Sequence, residues 1–253
     1  MELQDGVAIV TGAASGLGRH IACALAGCGA HVMVADLDAD LGEEVVRTVR
    51  ERGGHASWHR VDVCSDHDVA TLVEAARDRG GPQVLVNNAG GWGASDRQFP
   101  DAAPAEWSRV LDLNLRAPML ATQRCLEPMQ RAGGGVVINV ASSAGLGLDA
   151  YRSPEYASAK AGLIRFTTTL AALRETTGIR VNCVVPDWIG LERAHREFAQ
   201  MSAQEQAEAP PLISPEDVCN EIIDLARDGT RTGIVSILRG GEAPQRLNAT
   251  HRQ

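Results

Sequence analysis

The sequence predicts a single α/β domain, a doubly wound parallel β-sheet of about seven strands with helices on both faces. Three observations predict it. Short apolar runs alternate with longer helical patterns from end to end, the first run breaks into a glycine turn with the spacing Gly12-x-x-x-Gly16-x-Gly18, and an acidic residue, Asp36, closes the second run. Regular strand–helix alternation builds parallel sheets through right-handed crossovers. Strands are expected at 7–11, 30–36, 56–61, 84–88, 135–141, 180–185 and 233–238. Several are apolar almost throughout, as strands covered on both faces should be. Helices are expected near 16–28, 39–52, 66–79, 104–131, 155–177 and 214–228. No linker, repeat or low-complexity tract interrupts them, so residues 1–253 read as one domain.

The first strand ends at Gly12, where a residue free to adopt positive φ permits a sharp turn and close approach of a ligand to the backbone. The helix opening near Gly16 points its free N–H groups and positive dipole end at that turn, a ready site for a pyrophosphate. Asp36 then stands where a carboxylate can accept hydrogen bonds from a ribose diol. Further along, Asp38 and Asp66 are candidate caps, and Ser214-Pro215 places a cap and a first-turn proline before the last helix. The glycine pairs 53–54 and 80–81 and the triplet 133–135 end helices. Two segments depart from the alternation. One is a loop, 91–104, carrying Trp92, Asp96, Arg97 and Phe99. The other, 187–212, holds a helix around Leu191, Ala194, His195, Phe198 and Met201 before Pro210-Pro211. Both follow strand carboxyl ends, the edge where open α/β sheets bind ligands, and the second reads as a lid.

Composition narrows the function. A net charge of −8 argues against a nucleic-acid surface, and no apolar run approaches the ~20 residues of a membrane helix. The first six residues have neither the basic start nor the apolar core of a signal peptide, so a cytoplasmic protein is expected. The six cysteines form no Cys-x-x-Cys pair and read as reduced core residues, with no metal site.

The chemistry is expected from Tyr156-Ala-Ser-Ala-Lys160, a phenol and an ammonium four residues apart on one helical face. Upstream, Asn139-Val-Ala-Ser142-Ser143-Ala-Gly145 ends the fifth strand and brings a hydroxyl to the same rim. For a tyrosine titrating near ~10 to act as a base at neutrality, its pKa must fall by roughly 2–3 units, about 3–4 kcal/mol. One cation at ~4–5 Å in an effective dielectric of ~20 supplies about that much. Lys160, helped by an oxidised nicotinamide, is the expected source.

Taken together, Thr11-Gly-Ala-Ala-Ser-Gly-Leu-Gly18, Asp62-Val63, Asn87-Asn88-Ala89-Gly90, Asn114, Ser142, Tyr156 and Lys160 resemble the motifs of the short-chain dehydrogenase/reductase family, in order and over essentially the whole chain. The resemblance implies a Rossmann-type domain, an alcohol or ketone as small-molecule substrate, and a homo-oligomer, tetramer or dimer. It implies Tyr156 as general acid/base, Lys160 as the group that depresses its pKa and holds the nicotinamide ribose, Ser142 as the holder of the substrate oxygen, and Asn114 as anchor of a proton-relaying water. The implied cofactor-binding set is Gly12, Ser15, Gly16, Leu17, Gly18, Asp36, Leu37, Asp62, Val63, Asn88, Ala89, Gly90, Tyr156, Lys160, Pro186 and Ile189. Counting from Asn139 and from Gly145 selects Ser142; Ser143, thirteen residues before Tyr156, is the alternative. Asp36 would face a 2′-phosphate with like charge, and no Arg or Lys lies within the glycine turn to pair with one, so NAD is expected over NADP.

The chain departs from the family at Pro186-Asp187-Trp188-Ile189-Gly190, where Pro-Gly is usual and a threonine commonly follows. Trp92 and Trp188 are candidate walls of a substrate pocket. His195 and Glu192 read as a solvated lid face, and His55, His59 and His67 as surface residues. The competing function is a catalytically weak NAD-binding sensor or scaffold of the same fold; retention of both Tyr156 and Lys160 weighs against it.

Overall fold

The apolar runs become seven parallel strands: β1 Val7–Thr11, β2 His31–Asp36, β3 His55–Arg60, β4 Val84–Asn87, β5 Gly135–Val140, β6 Ile179–Pro186 and β7 Ile234–Leu238. The computed structural model describes residues 2–93, 97–147 and 151–248. The sheet order is β3-β2-β1-β4-β5-β6-β7, continued by an eighth strand, β8 Gln245–Asn248, antiparallel to β7. The sheet therefore has one strand more than expected. All four residues of β8 are exposed, so no apolar run marks it; pairing with β7 alone makes it a strand.

Alternate residues of β1 serve opposite faces. Ala8 and Val10 pack with Ile21 and Leu25 of α1 (Gly16–Gly27), Val45 and Val49 of α2 (Ala39–Glu51), and Ile222 and Leu225 of α10 (Pro215–Arg227). Val7 and Ile9 pack with Val69 and Leu72 of α3 (Asp66–Arg77) and with Leu120 and Met129 of α5 (Ala117–Arg131). A third cluster seats Leu163 of α6 (Pro154–Thr169) against Cys183, Val185, Val235 and Ile237. All six cysteines are unpaired.

Three helix expectations are corrected. The stretch 104–131 is α4 (Pro104–Leu111) and α5 joined by a π-helical turn, Asp112–Arg116, in which the Ala117 N–H reaches the Asp112 carbonyl. The stretch 155–177 divides into α6 and α7 (Leu173–Thr177). The cap of α3 is Ser65, whose hydroxyl accepts the Asp68 N–H at 3.2 Å; Asp66 lies inside the helix and pairs with Arg116 at 2.6 Å. Asp38 and Ser214 do cap α2 and α10, accepting the N–H groups of Leu41 and Asp217, each at 3.0 Å. The segment after β6 carries two helices, α8 (Glu192–Gln200) and α9 (Ala203–Glu208). Its base is tied down by backbone bonds from Gly190 N–H to the Ile213 carbonyl and from Ile213 N–H to the Trp188 carbonyl, both 2.8 Å. Asp96 lies outside the described residues.

The centre of the sheet carries a buried polar chain. The Asn87 amide donates to Asn139 Oδ1 at 2.8 Å and to Thr122 Oγ1 at 3.2 Å, and the Asn139 amide donates to Thr167 Oγ1 at 2.9 Å. The chain joins β4, β5, α5 and α6, and so sets the height of α6 against the sheet. Buried partners stripped of a hydrogen bond cost about 1–3 kcal/mol each. Asn139→Leu is therefore expected to lower stability by about 2–4 kcal/mol in urea titration, with an unchanged m value.

Candidate active site

Beyond the carboxyl ends of β1, β2 and β4 lies a cleft of about 410 Å³, where the strand order reverses between β1 and β4. Its wall gathers twelve of the residues expected to bind a dinucleotide: Gly12, Ser15, Gly16, Leu17 and Gly18 from the first turn, Asp36 and Leu37 from β2, Asp62 and Val63, and Asn88, Ala89 and Gly90. Val61 and Leu113 complete it. Gly12 and Gly16 have φ of +62° and +51°, a region side chains rarely adopt. A Cβ on Gly18 would fall 1.9 Å from the Gly12 carbonyl oxygen, so the helix meets the turn only because that residue lacks one. The Ser15 side chain makes no cap bond, which leaves the first-turn N–H groups of α1 turned to the cleft.

Hydrogen bonds hold the cleft's shape. The Thr11 hydroxyl accepts the N–H groups of Asn88 and Ala89, both at 3.1 Å, and the Asn88 amide donates to the Thr11 and Gly12 carbonyls at 2.9 and 3.0 Å. Asp36 Oδ2 accepts the Ala14 N–H at 2.9 Å and Oδ1 the Leu37 N–H at 2.7 Å, so one carboxylate ties the glycine turn to the end of β2. Asp62 Oδ1 accepts the Cys64 N–H at 2.9 Å. A Cβ on Gly90 would lie 2.8 Å from Asn114 Oδ1 and 3.1 Å from Lys160 Nζ, so the bare backbone is what lets these two side chains approach the cleft wall this closely. This donor set fits a nicotinamide dinucleotide.

A second cleft, of about 470 Å³, adjoins it between the serine turn, α6 and α8. Its wall includes Trp92, Ser142, Ser143, Tyr151, Tyr156, Asp187, Trp188, Ile189, Leu191, Arg193 and Glu197. The serine turn sits hard against α6, because a Cβ on Gly145 would fall 2.6 Å from the Ala161 nitrogen. Trp92 meets the Tyr156 ring edge-on at 6.0 Å, and Tyr151 stacks on it at 6.3 Å. Ser143 is committed elsewhere: its hydroxyl donates to Asp187 Oδ1 at 2.8 Å. Ser142 is the serine whose hydroxyl reaches the Tyr156 phenol. Asn114 is wholly buried, its amide donating to the Gly91 and Val110 carbonyls at 2.7 and 2.8 Å and its Oδ1 accepting the Gly91 N–H at 3.1 Å.

Lys160 is buried, its Nζ donating to the Val140 carbonyl at 2.9 Å and lying 5.6 Å from the centre of the Tyr156 ring. Burial pushes its pKa down from 10.5 to about 8. Tyr156 departs from the expectation. Burial raises its pKa above the usual phenol value, the Ser142 hydroxyl and the Trp92 indole pull it back, and Tyr151 adds to the rise. Lys160 is not among the groups that lower it. Lys160 alone therefore does not make Tyr156 acidic.

The short chain dehydrogenase family model matches residues 6–201. The chain belongs to the short-chain dehydrogenase family. It is 35% identical over 237 residues to the cis-4-hydroxycyclohexanecarboxylate dehydrogenase of Sinomonas cyclohexanicum, covering 92% of this chain and 93% of that one. It is 30% identical to the 7alpha-hydroxysteroid dehydrogenase of Escherichia coli K12, covering 98% of each. A solved 7alpha-hydroxysteroid dehydrogenase, complexed with NADH and 7-oxo glycochenodeoxycholic acid, superposes with a TM-score of 0.86 at 29% identity over 96% of each chain.

Within this short-chain dehydrogenase, two of the residues expected to contact the cofactor lie outside the wall of the first cleft. Ile189 lines the second cleft, and Pro186 is buried at the end of β6 opposite Leu238. His195 and Glu192 are exposed and line neither cleft. Tyr151, Asp187, Arg193 and Glu197 had no assigned role in the sequence. Tyr151 and Asp187 lie in connecting segments without periodicity, while the i, i+4 spacing of Arg193 and Glu197 on a helix after a strand end is a readable signal.

The burial of Lys160 has a stability consequence. An ammonium whose pKa falls from 10.5 to about 8 on folding is a destabilising load below pH 8, relieved as pH rises from 8 towards 10.5. Lys160→Met is expected to be the more stable protein at pH 7, by about 1–3 kcal/mol. Urea unfolding should show the wild type closing that gap between pH 8 and pH 10.

Proposed function

We propose that this short-chain dehydrogenase transfers a hydride between NAD and a ring-bearing secondary alcohol or the corresponding ketone, with Tyr156 as general acid/base. The observation that carries the reading is the Tyr156 phenol, in reach of the Ser142 hydroxyl on the floor of a cleft that adjoins the glycine-turn cleft. Bound in the glycine-turn cleft, a nicotinamide dinucleotide supplies the hydride-exchanging carbon and, when oxidised, a positively charged ring.

The residues divide the remaining work. Ser142 donates to the substrate oxygen and holds the carbinol against Tyr156. Tyr156 receives the carbinol proton in oxidation and returns one to the carbonyl oxygen in reduction. Its raised pKa keeps the phenol protonated in the unliganded protein, so ionisation awaits a second positive charge beyond Lys160. Lys160 holds the Val140 carbonyl and presents its remaining N–H groups towards Gly90, where a ribose would lie. Asn114 braces the Gly91 backbone beside it. Asp36 keeps acceptor capacity for a ribose diol and repels a 2′-phosphate, which supports NAD over NADP. The substrate walls, Trp92, Tyr151, Trp188 and Leu191, are flat or apolar and suit a ring. The named relatives act on hydroxylated ring compounds, which supports the same substrate class.

Two experiments test this. Tyr156→Phe should cut kcat for cyclic secondary alcohols by about 10³-fold while NADH binding persists; wild-type turnover in the variant would remove Tyr156 from the mechanism. Asp36→Ala combined with Leu37→Arg should invert the kcat/KM ratio for NAD against NADP, and an unchanged ratio would refute the assignment of Asp36.

A further inference from the structure

The second cleft carries a charge that hydride transfer itself does not use. Among its described lining residues, Arg193 is the one cationic side chain. Its guanidinium lies 4.3 Å over the Trp92 ring, and its Nε donates to Glu197 Oε1 at 2.7 Å within α8. The indole fixes the plane of the guanidinium and the carboxylate fixes its roll. The Nη1 and Nη2 edge has no hydrogen-bond partner among the described residues. A guanidinium held in this way is a planar fork suited to a bidentate anion, most directly a carboxylate. The acid at the reacting end, Asp187, already accepts the Ser143 hydroxyl, whereas Arg193 stands one indole ring beyond Tyr156. The cleft therefore has a hydroxyl-bearing end where Asp187 is engaged by Ser143, an aromatic middle, and a far end where the Arg193–Glu197 pair leaves the outer guanidinium edge open.

We propose that Arg193 is the specificity-determining residue of this cleft, anchoring a carboxylate, and that the substrate is a ring-bearing secondary alcohol with its carboxylate on the side remote from the carbinol. This rests on the assignment of the second cleft to the substrate, and it names the substrate class more narrowly. Glu197 is a positioning residue that acts through Arg193.

The test separates anion recognition from turnover. Binding of cyclohexanecarboxylate, cyclohexanecarboxamide and cyclohexylamine to the full chain is measured by calorimetry, with and without NADH. The carboxylate is expected to bind at least about tenfold tighter than the isosteric carboxamide, as charge-assisted bidentate pairing requires. Arg193→Met keeps an apolar stem on Trp92 and should bring the carboxylate down to the carboxamide's affinity, with Arg193→Lys recovering part of the difference. Equal affinities in the wild type, no binding of the carboxylate, a carboxylate preference that survives in Arg193→Met, or tighter binding of the amine would each overturn the proposal. Turnover of hydroxycyclohexane carboxylic acids is then assayed separately. Anion-selective binding without oxidation of any alcohol would sink the proposed activity and leave the anchor standing.

Discussion

The buried ammonium of Lys160 is the constraint around which the active rim is arranged: held by the Val140 carbonyl at the end of β5, it lies over the Tyr156 ring and beside the bare backbone of Gly90. Carrying a charge into a site where burial takes its pKa to about 8 is unfavourable for folding, and the rest of the molecule offsets it. The offset comes from the sheet, whose central strands are mostly apolar on both faces, with the Asn87–Asn139–Thr167 chain linking them to α6. That chain fixes α6 relative to β5, and with it both Tyr156 and Lys160. A charge that destabilises the fold is thus kept in register by polar groups that stabilise it.

The two clefts are products of one topological feature. Strand order reverses between β1 and β4, so the loops leaving these strands part and open a crevice at their carboxyl ends. Thr11 and Asn88 bridge the two sides, and Asp36 ties the glycine turn to β2. The glycines act here through absence of bulk: Gly18 lets α1 approach the turn, Gly90 lets Asn114 and Lys160 approach the backbone, and Gly145 lets the serine turn lie on α6. The raised pKa of Tyr156 belongs to the same economy of space. Packed among Trp92, Tyr151 and Ser142, the phenol is desolvated before any ligand is present, and desolvation favours the neutral form.

The departure after β6 shows how a change in sequence is absorbed. Asp187 accepts from Ser143, Trp188 packs near Phe198, and Ile189 pairs with Ile213, so the segment is pinned at its base before α8 begins. This pinning places Arg193 over Trp92. It also engages the Ser143 hydroxyl with Asp187, while Ser142 faces Tyr156.

Local chemistry made much of this legible in one dimension. Continuous apolar runs, the Gly12–Gly16–Gly18 turn, Asp36 at a strand end and the four-residue spacing of Tyr156 and Lys160 determined the parallel sheet, the order of its elements and the residues around the first cleft, because each depends on neighbours within a turn or a strand. What depends on distant partners was not legible. β8 is a strand only because β7 offers it a ladder, the π-helical turn breaks a helix whose pattern reads unbroken, and Asp66 yields its cap to Ser65. The direction of the Tyr156 shift, the engagement of Ser143 by Asp187 and the stacking of Arg193 on Trp92 were decided by tertiary packing, since burial and through-space charge are set by residues brought together from different loops.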